Sequence, residues 1–203
     1  MRKKSEEKRQ KILDAALVLF REVGFEATSM NELASRVGGS KATLYGYFAS
    51  KEEIFSCVMM MAAEDDLSAM QQALEAPGQS LEDALFKFGV QYLSFHYGES
   101  VIAARRLAIA QANRGSIGQV MYERGVLRLR TKLAEFLKTK QDSGEFDALD
   151  IKLAAVQFLG LLKAEFDVEA LLGIQANFSK LQITTAAKNA VALFVNGYKA
   201  DCK

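Results

Sequence analysis

Two helix starts and one helix stop are packed into residues 28–48, TSMNELASRVGGSKATLYGYF, which leaves this segment few ways to fold. Thr28 or Ser29 can cap a helix of about 29–37, with Glu32 as the acidic half of a capping box. Leu33, Ala34 and Val37 give that helix an apolar face. Gly38 can end it, because glycine accepts the left-handed backbone common at helix C-termini. Ser40 is then placed to cap a second helix over 41–48. Leu44 and Phe48, four apart, anchor it inward and leave Lys41, Ala42, Thr43, Tyr45, Gly46 and Tyr47 outward. An outward face with Lys, Thr and two Tyr, and no carboxylate, suits a polyanion. Two short helices around a Gly turn also form plain corners of helical bundles, so the flanking sequence has to decide.

Upstream, Ile12, Ala15, Ala16, Leu19, Phe20 and Val23 recur at helical spacing. Gly24 is a stop, and Phe25 can fold back onto the helix end. Downstream, Ser50 can cap a helix with Glu52 and Glu53 in its first turn, where the macrodipole favours acids. Helices wrapped around Ile12, Phe20, Leu33, Val37, Leu44, Phe48 and Phe55 make one small core, so the outward helix has a rigid support. Charge agrees with this reading. Residues 1–51 carry ten Lys/Arg against six Asp/Glu, or +4, while the whole chain is +1. A basic end is what contact with DNA phosphates requires.

Residues 10–60 as a block resemble the DNA-binding domain of the TetR family of bacterial transcription regulators. Gly24, Thr28, Leu33, Ala34, Gly38, Ser40, Thr43, Leu44, Tyr45, Phe48, Lys51 and Phe55 are among the matching positions. The resemblance implies a helix-turn-helix domain over 1–51 and a larger helical ligand-binding and dimerisation domain over 52–203. It implies phosphate contacts from Thr28, Tyr45, Tyr47 and Lys51. The N-terminal end of the second helix, Lys41, Ala42 and Thr43, then meets base edges. Lys41 can donate to guanine and Thr43 can touch a thymine methyl. Asn31 holds a position from which some members reach a base; capping or solvent exposure is the alternative. Ser29, Ser40 and Gly46 complete the expected DNA-facing set. Two residues depart from the family pattern. Gly39 stands where an apolar residue usually plugs the turn, and Gly46 replaces a larger outward side chain.

The rest of the chain reads as helix. One Pro, no Trp and few β-branched runs point to an all-α fold of about nine helices. Expected spans after the first three are 51–76, 81–97, 99–113, 116–140, 148–172 and 179–200. The 81–97 helix looks apolar on almost every face, as a helix at a domain centre would. From 151 on, two stripes run along the chain. Ile151, Ala155, Phe158, Leu159, Leu162 and Phe166 form one; Leu153, Gly160, Leu161, Ala164, Val168, Leu171 and Leu172 form the other. The terminal helix repeats Ala187, Ala190, Val191, Phe194, Val195 and Tyr198. Two such helices meeting a two-fold copy make a four-helix bundle, which predicts a homodimer. Phe158, Leu162, Phe166, Val191, Phe194, Val195 and Tyr198 are the expected interface.

Met60, Phe88, Tyr92, Phe95, His96, Arg105 and Tyr122 are the candidate lining of an effector pocket, mainly apolar with His96 or Arg105 as orienting groups. The same aromatics could simply fill a large core. His96 is the only histidine, which argues against a His-based metal site or a catalytic triad, and no cofactor motif occurs. Cys57 and Cys202 have no metal or redox spacing. No apolar run reaches the ~18 residues of a membrane span, and the basic N-terminus lacks a cleavage signal. The expectation is a bacterial cytoplasmic protein, at the nucleoid when bound, and not an enzyme. It is a repressor that holds a palindromic DNA operator as a homodimer and is released by a small, mainly apolar molecule. The alternative is a DNA-binding dimer without a small-molecule ligand.

Overall fold

The computed structural model describes residues 5–110, 112, 117–175 and 177–198. Among them there are twelve α-helices, one π-helical turn and no strand. Cys202 lies outside the described residues. The chain divides into two compact units, residues 1–62 with 108–121, and residues 63–107 with 122–203.

The first unit is built from α1 (Glu6–Ala27), α2 (Met30–Val37), α3 (Lys41–Tyr47), α4 (Lys51–Ala62) and α8 (Ile117–Met121). Ser5 caps α1 through its hydroxyl, which accepts from the Lys8 amide. Gly24 interrupts α1 at φ 83°, ψ 166°, so its last turn is set off from the helix proper. Ile12, Leu13, Ala16, Leu19, Leu33, Leu44, Phe48 and Ile54 form the core. Leu13 joins it where the predicted stripe had Val23, which is exposed. Helix α4 packs on α1, so the compact unit reaches beyond the predicted boundary at residue 51.

The second unit contains α5 (Glu64–Glu75), α6 (Leu81–His96), most of α7 (Glu99–Ala110), the π-helical turn Tyr122–Leu127, α9 (Arg128–Asp142), α10 (Ile151–Lys163), α11 (Asp167–Leu172) and α12 (Lys180–Gly197). Helix α6 is central and packs against α5, α10 and α12. Gly89 permits the approach, since a Cβ there would lie 2.9 Å from Leu162 Cδ2. The helix is not buried all round: Glu82, Asp83, Lys87, Gln91 and Ser94 keep one stripe in solvent. Phe88, Phe158, Phe146 and Phe194 fill the interior as a chain of ring contacts.

Three of the nine predicted helices are each broken in two. Ala63 separates α4 from α5, the π-helical turn separates α8 from α9, and residues 164–166 separate α10 from α11. Only the π-helical turn carries a glycine, Gly125; Ala63 and residues 164–166 carry neither Gly nor Pro, so apolar spacing alone runs straight through those two breaks.

The two stripes on α10 resolve into an inside and an outside. Phe158, Leu162, Phe166, Val191, Phe194 and Val195 are buried within their own subunit, and Tyr198 is partly buried against that core. All of the predicted dimer residues except Tyr198 are therefore core residues of the chain itself. The outward surface carries Leu153, Val168, Leu172, Leu181 and Leu193 instead. Adjacent residues make the contrast plain: Phe194 is 1% exposed and Leu193 65%. Phe194→Ala is expected to cost about 3–5 kcal/mol in urea unfolding, the usual cost of emptying a buried aromatic site. A loss below about 1 kcal/mol would show that Phe194 is not a core residue.

Candidate nucleic-acid interface

Ser29 caps α2, with Thr28 left outside the cap. The Ser29 hydroxyl accepts from the Glu32 amide at 3.2 Å, and the Glu32 carboxylate accepts from the Ser29 amide at 2.8 Å. At the other end Gly38 adopts φ 67°, ψ 44°. The Gly39 amide donates to Ala34 O at 3.0 Å and the Gly38 amide to Ser35 O at 3.2 Å. This paired closure fixes the turn through the backbone. It answers the question raised by Gly39: no apolar plug is needed to set the turn. Ser40 then caps α3, accepting from the Thr43 amide at 3.1 Å.

Leu44 and Phe48 are fully buried and hold α3 down. Lys41, Ala42, Tyr45 and Gly46 are exposed along its outer side, with Thr43 and Tyr47 half-buried beside them. Lys41 Nζ lies 6.0 Å from the centre of the Tyr45 ring, so the cation leans along the helix. Ser40 and Thr43 share a hydroxyl–hydroxyl hydrogen bond of 2.9 Å. Asn31 and Ser29 are exposed at the start of α2. The outer face of α3 bears no carboxylate, and Glu22, on α1, is already paired with Arg36.

Two predicted phosphate ligands make contacts within the fold. Thr28 is 2% exposed, and its hydroxyl donates to Gly24 O at 2.7 Å. The side chain locks the break in α1 and is not on the outer surface. Lys51 Nζ donates to Phe25 O at 2.7 Å and Thr28 O at 2.8 Å, and it lies 4.2 Å from the centre of the Phe25 ring. It gathers the carbonyls of the turn that leads into α2, beside the Phe25 ring, which itself packs against Phe20 and Phe55. Sequence spacing could not reveal this, because the acceptors are backbone atoms 23 and 26 residues upstream.

Other ties were also missed. The Tyr47 hydroxyl accepts from the Ser5 amide at 3.3 Å, joining α3 to the start of α1. Lys8 Nζ donates to Val37 O at 3.5 Å, at the C-terminus of α2. The Arg9 guanidinium lies 5.2 Å from the centre of the Phe48 ring. The run of basic residues at the N-terminus was the only signal for Lys8 and Arg9. It suggested DNA contact, whereas both brace the fold.

The predicted effector residues fall in both units. Met60 belongs to the first unit; the other six belong to the second. Phe88 is fully buried, stacked 6.0 Å from Tyr92 and tilted against Phe158 at 6.2 Å, so it fills the core. Tyr122 is exposed in the π-helical turn, and Phe95 is half-buried. Tyr92, His96 and Arg105 do come together. His96 stacks on Tyr92 at 4.9 Å, and both His96 and Arg105 approach Asp167. Burial holds the His96 imidazole below its ordinary pKa, against the opposing pull of Asp167. Burial raises Asp167, but its contacts with His96 and Arg105 and the charge of Lys163 outweigh this and keep it well below the usual carboxylate range. No helix among the described residues is long and apolar enough to cross a membrane.

If Lys51 is a structural tie, Lys51→Met will lower stability by about 1–3 kcal/mol in the absence of DNA, because two carbonyls lose a charged donor. Urea unfolding of the free protein checks this. An unchanged midpoint would return Lys51 to the set of pure phosphate ligands.

Comparisons with known proteins cover both units. Residues 12–58 match the family model for bacterial regulatory proteins of the tetR family, and residues 83–200 match that for the C-terminal domain of AefR-like transcriptional repressors. The HTH-type transcriptional regulator YezE of Bacillus subtilis is 29% identical over 157 residues, covering 73% of this chain and 80% of YezE. A TetR-family regulator from Mesorhizobium loti superposes with a TM-score of 0.81 at 27% identity, covering 96% of this chain and 98% of its own. The flavonoid-responsive regulator FrrA superposes with a TM-score of 0.72 at 29% identity, covering 98% and 100%. These relatives are regulators and not enzymes. With a capped helix-turn-helix packed into the core that α1 and α4 share with it, and both family models matched, the chain belongs to the TetR family of DNA-binding transcription regulators.

Proposed function

We propose that the protein is a cytoplasmic repressor, bound to a palindromic operator as a homodimer and released by a small molecule. The observation that carries the DNA half is the outer side of α3, which bears Lys41, Thr43, Tyr45 and Tyr47 and no acid. Lys41, Ala42 and Thr43 lie at its N-terminal end, the part of a recognition helix that meets base edges. Tyr45 and Tyr47 lie further along, where a hydroxyl reaches phosphate. Asn31, at the start of α2, is a second candidate for base contact. Two such helices about 34–36 Å apart would read successive major grooves. Ligand response is supported by a second unit with its own core and by the relative FrrA, named for its response to flavonoids. Release follows if the effector prefers a conformation in which the two helices no longer match that spacing.

The dimer reading moves to the outward surface of α10 and α12. The two run antiparallel, since Gln157 pairs with Tyr198 while Glu165, just past α10, pairs with Asn189. They expose Leu153 and Leu193, and Gly160 leaves room for a close neighbour. A self-complementary patch of this kind suits a two-fold partner.

On a selected operator, Lys41→Ala should change the preferred base at one position, at a cost of about 1–3 kcal/mol. Tyr45→Phe should weaken every operator variant about equally. Anisotropy titrations over single-base variants separate these outcomes, and uniform losses for Lys41→Ala would remove it from base reading. Leu193→Glu should yield a folded monomer in sedimentation that no longer holds the operator tightly. A dimeric Leu193→Glu protein with intact affinity would place the interface elsewhere.

A further inference from the structure

The line of α3 that faces straight out of the first unit carries its two smallest residues. At about 100° per residue, Leu44 and Phe48 point into the core, and Ala42 and Gly46 point directly away from it. Exposure follows the same division: Leu44 and Phe48 are buried, while Ala42 and Gly46 are exposed. The larger outward residues stand to either side. Lys41 and Tyr45 form one ridge, with Lys41 Nζ 6.0 Å from the centre of the Tyr45 ring. Thr43 and Tyr47 form the other, tied to the Ser40 hydroxyl and the Ser5 amide. Between the ridges runs a trough with a methyl group at Ala42 and bare backbone at Gly46.

Nothing within the fold requires glycine at 46. Gly38 has a left-handed backbone, and a Cβ at Gly89 would lie 2.9 Å from Leu162 Cδ2. Gly46 has neither constraint. Its φ is not positive, and a Cβ there would meet no atom within 4 Å. Glycine inside a helix lowers stability relative to alanine. In a helix of seven residues, too short to hold itself, no contact inside the chain offsets that loss.

The chemistry of the trough narrows what can occupy it. It presents a methyl group and Cα hydrogens, with no side-chain donor or acceptor on its floor, so it matches an apolar group. The major groove of B-DNA is about 12 Å wide and admits an α-helix, and the apolar group that a base pair shows there is the thymine C5 methyl. A side chain at 46 would fill the space that this methyl needs.

We propose that Gly46 is a specificity-determining residue, whose missing Cβ leaves room for a thymine methyl on the floor of the major groove. It favours a T·A pair at that position by shape, without a hydrogen bond. The proposal rests on the reading that α3 enters the major groove, and its test separates the two.

The test starts from a site selected out of random DNA by the full-length wild-type protein. Each thymine, with its symmetry mate where one exists, is replaced by deoxyuridine, which lacks only the methyl. Anisotropy titrations then give affinities for wild type and Gly46→Ala. At one thymine position wild type should lose about fourfold for each methyl contact removed. Gly46→Ala should bind the thymine site about tenfold or more weakly than wild type, because a second methyl is forced into a filled contact. On the site with deoxyuridine at that same position, Gly46→Ala should return to within about twofold of wild type on thymine, since one methyl has replaced the other. The variant should also melt about 2–4 °C higher than wild type, because the helix gains alanine and nothing is crowded, so lost binding is not lost folding. Unchanged affinity of Gly46→Ala for the thymine site would overturn the proposal. A loss that no deoxyuridine relieves would put a sugar or phosphate in the trough and overturn it as well. If Lys41→Ala and Tyr45→Phe also bind the selected site like wild type, the reading of α3 as the DNA-facing helix fails too. If those two variants weaken binding and Gly46→Ala does not, that reading stands and only the role of Gly46 falls.

Discussion

A helix of seven residues does not hold its shape in water by itself, because its nucleation cost exceeds what so few hydrogen bonds return. Helix α3 is that short, and it carries the exposed Lys41, Ala42, Tyr45 and Gly46. The first unit can be understood as the set of contacts that makes this helix rigid. Ser40 satisfies its first turn, and Leu44 and Phe48 bury its inner side. Gly38 and Gly39 close the preceding turn through the backbone, and the Tyr47 hydroxyl reaches back to Ser5. Lys51 fixes the approach to α2 by drawing together the carbonyls of Phe25 and Thr28. Each contact is small, and together they set where the outward side chains stand.

Much of this was legible in the sequence, because caps and helix stops are local signals. Ser29 with Glu32, Gly38 and Ser40 can be read from residue type and spacing alone, and the structure has all of them. Thr28 and Lys51 were assigned to phosphate by resemblance. Their actual partners, Gly24 O and the Phe25 and Thr28 carbonyls, are backbone atoms that leave no mark in residue spacing. The dimer residues failed for a different reason. Periodicity separates two stripes on a helix but does not say which faces inward. The bulkier stripe of Phe158, Leu162 and Phe166 went to the subunit core, where large side chains bury most area, and left Leu153 and Val168 outside.

The effector residues divide along the same line. Phe88 was picked for its aromatic side chain and proved to be core, because α6 passes through the middle of its unit. His96 and Arg105 were picked for their polarity and proved to be partners at Asp167, a residue no spacing had singled out. The break at residues 164–166 places Asp167 at the head of α11, and that break carries no Gly or Pro to announce it.

The central claim is that two copies of α3 read a two-fold DNA site. Selection of bound fragments from genomic DNA by the wild-type protein tests it most directly. The account predicts enrichment of an inverted repeat whose half-sites are centred about 10 base pairs, one helical turn, or a multiple of it apart. Fragments without inverted symmetry, or no enrichment above bulk DNA, would contradict it.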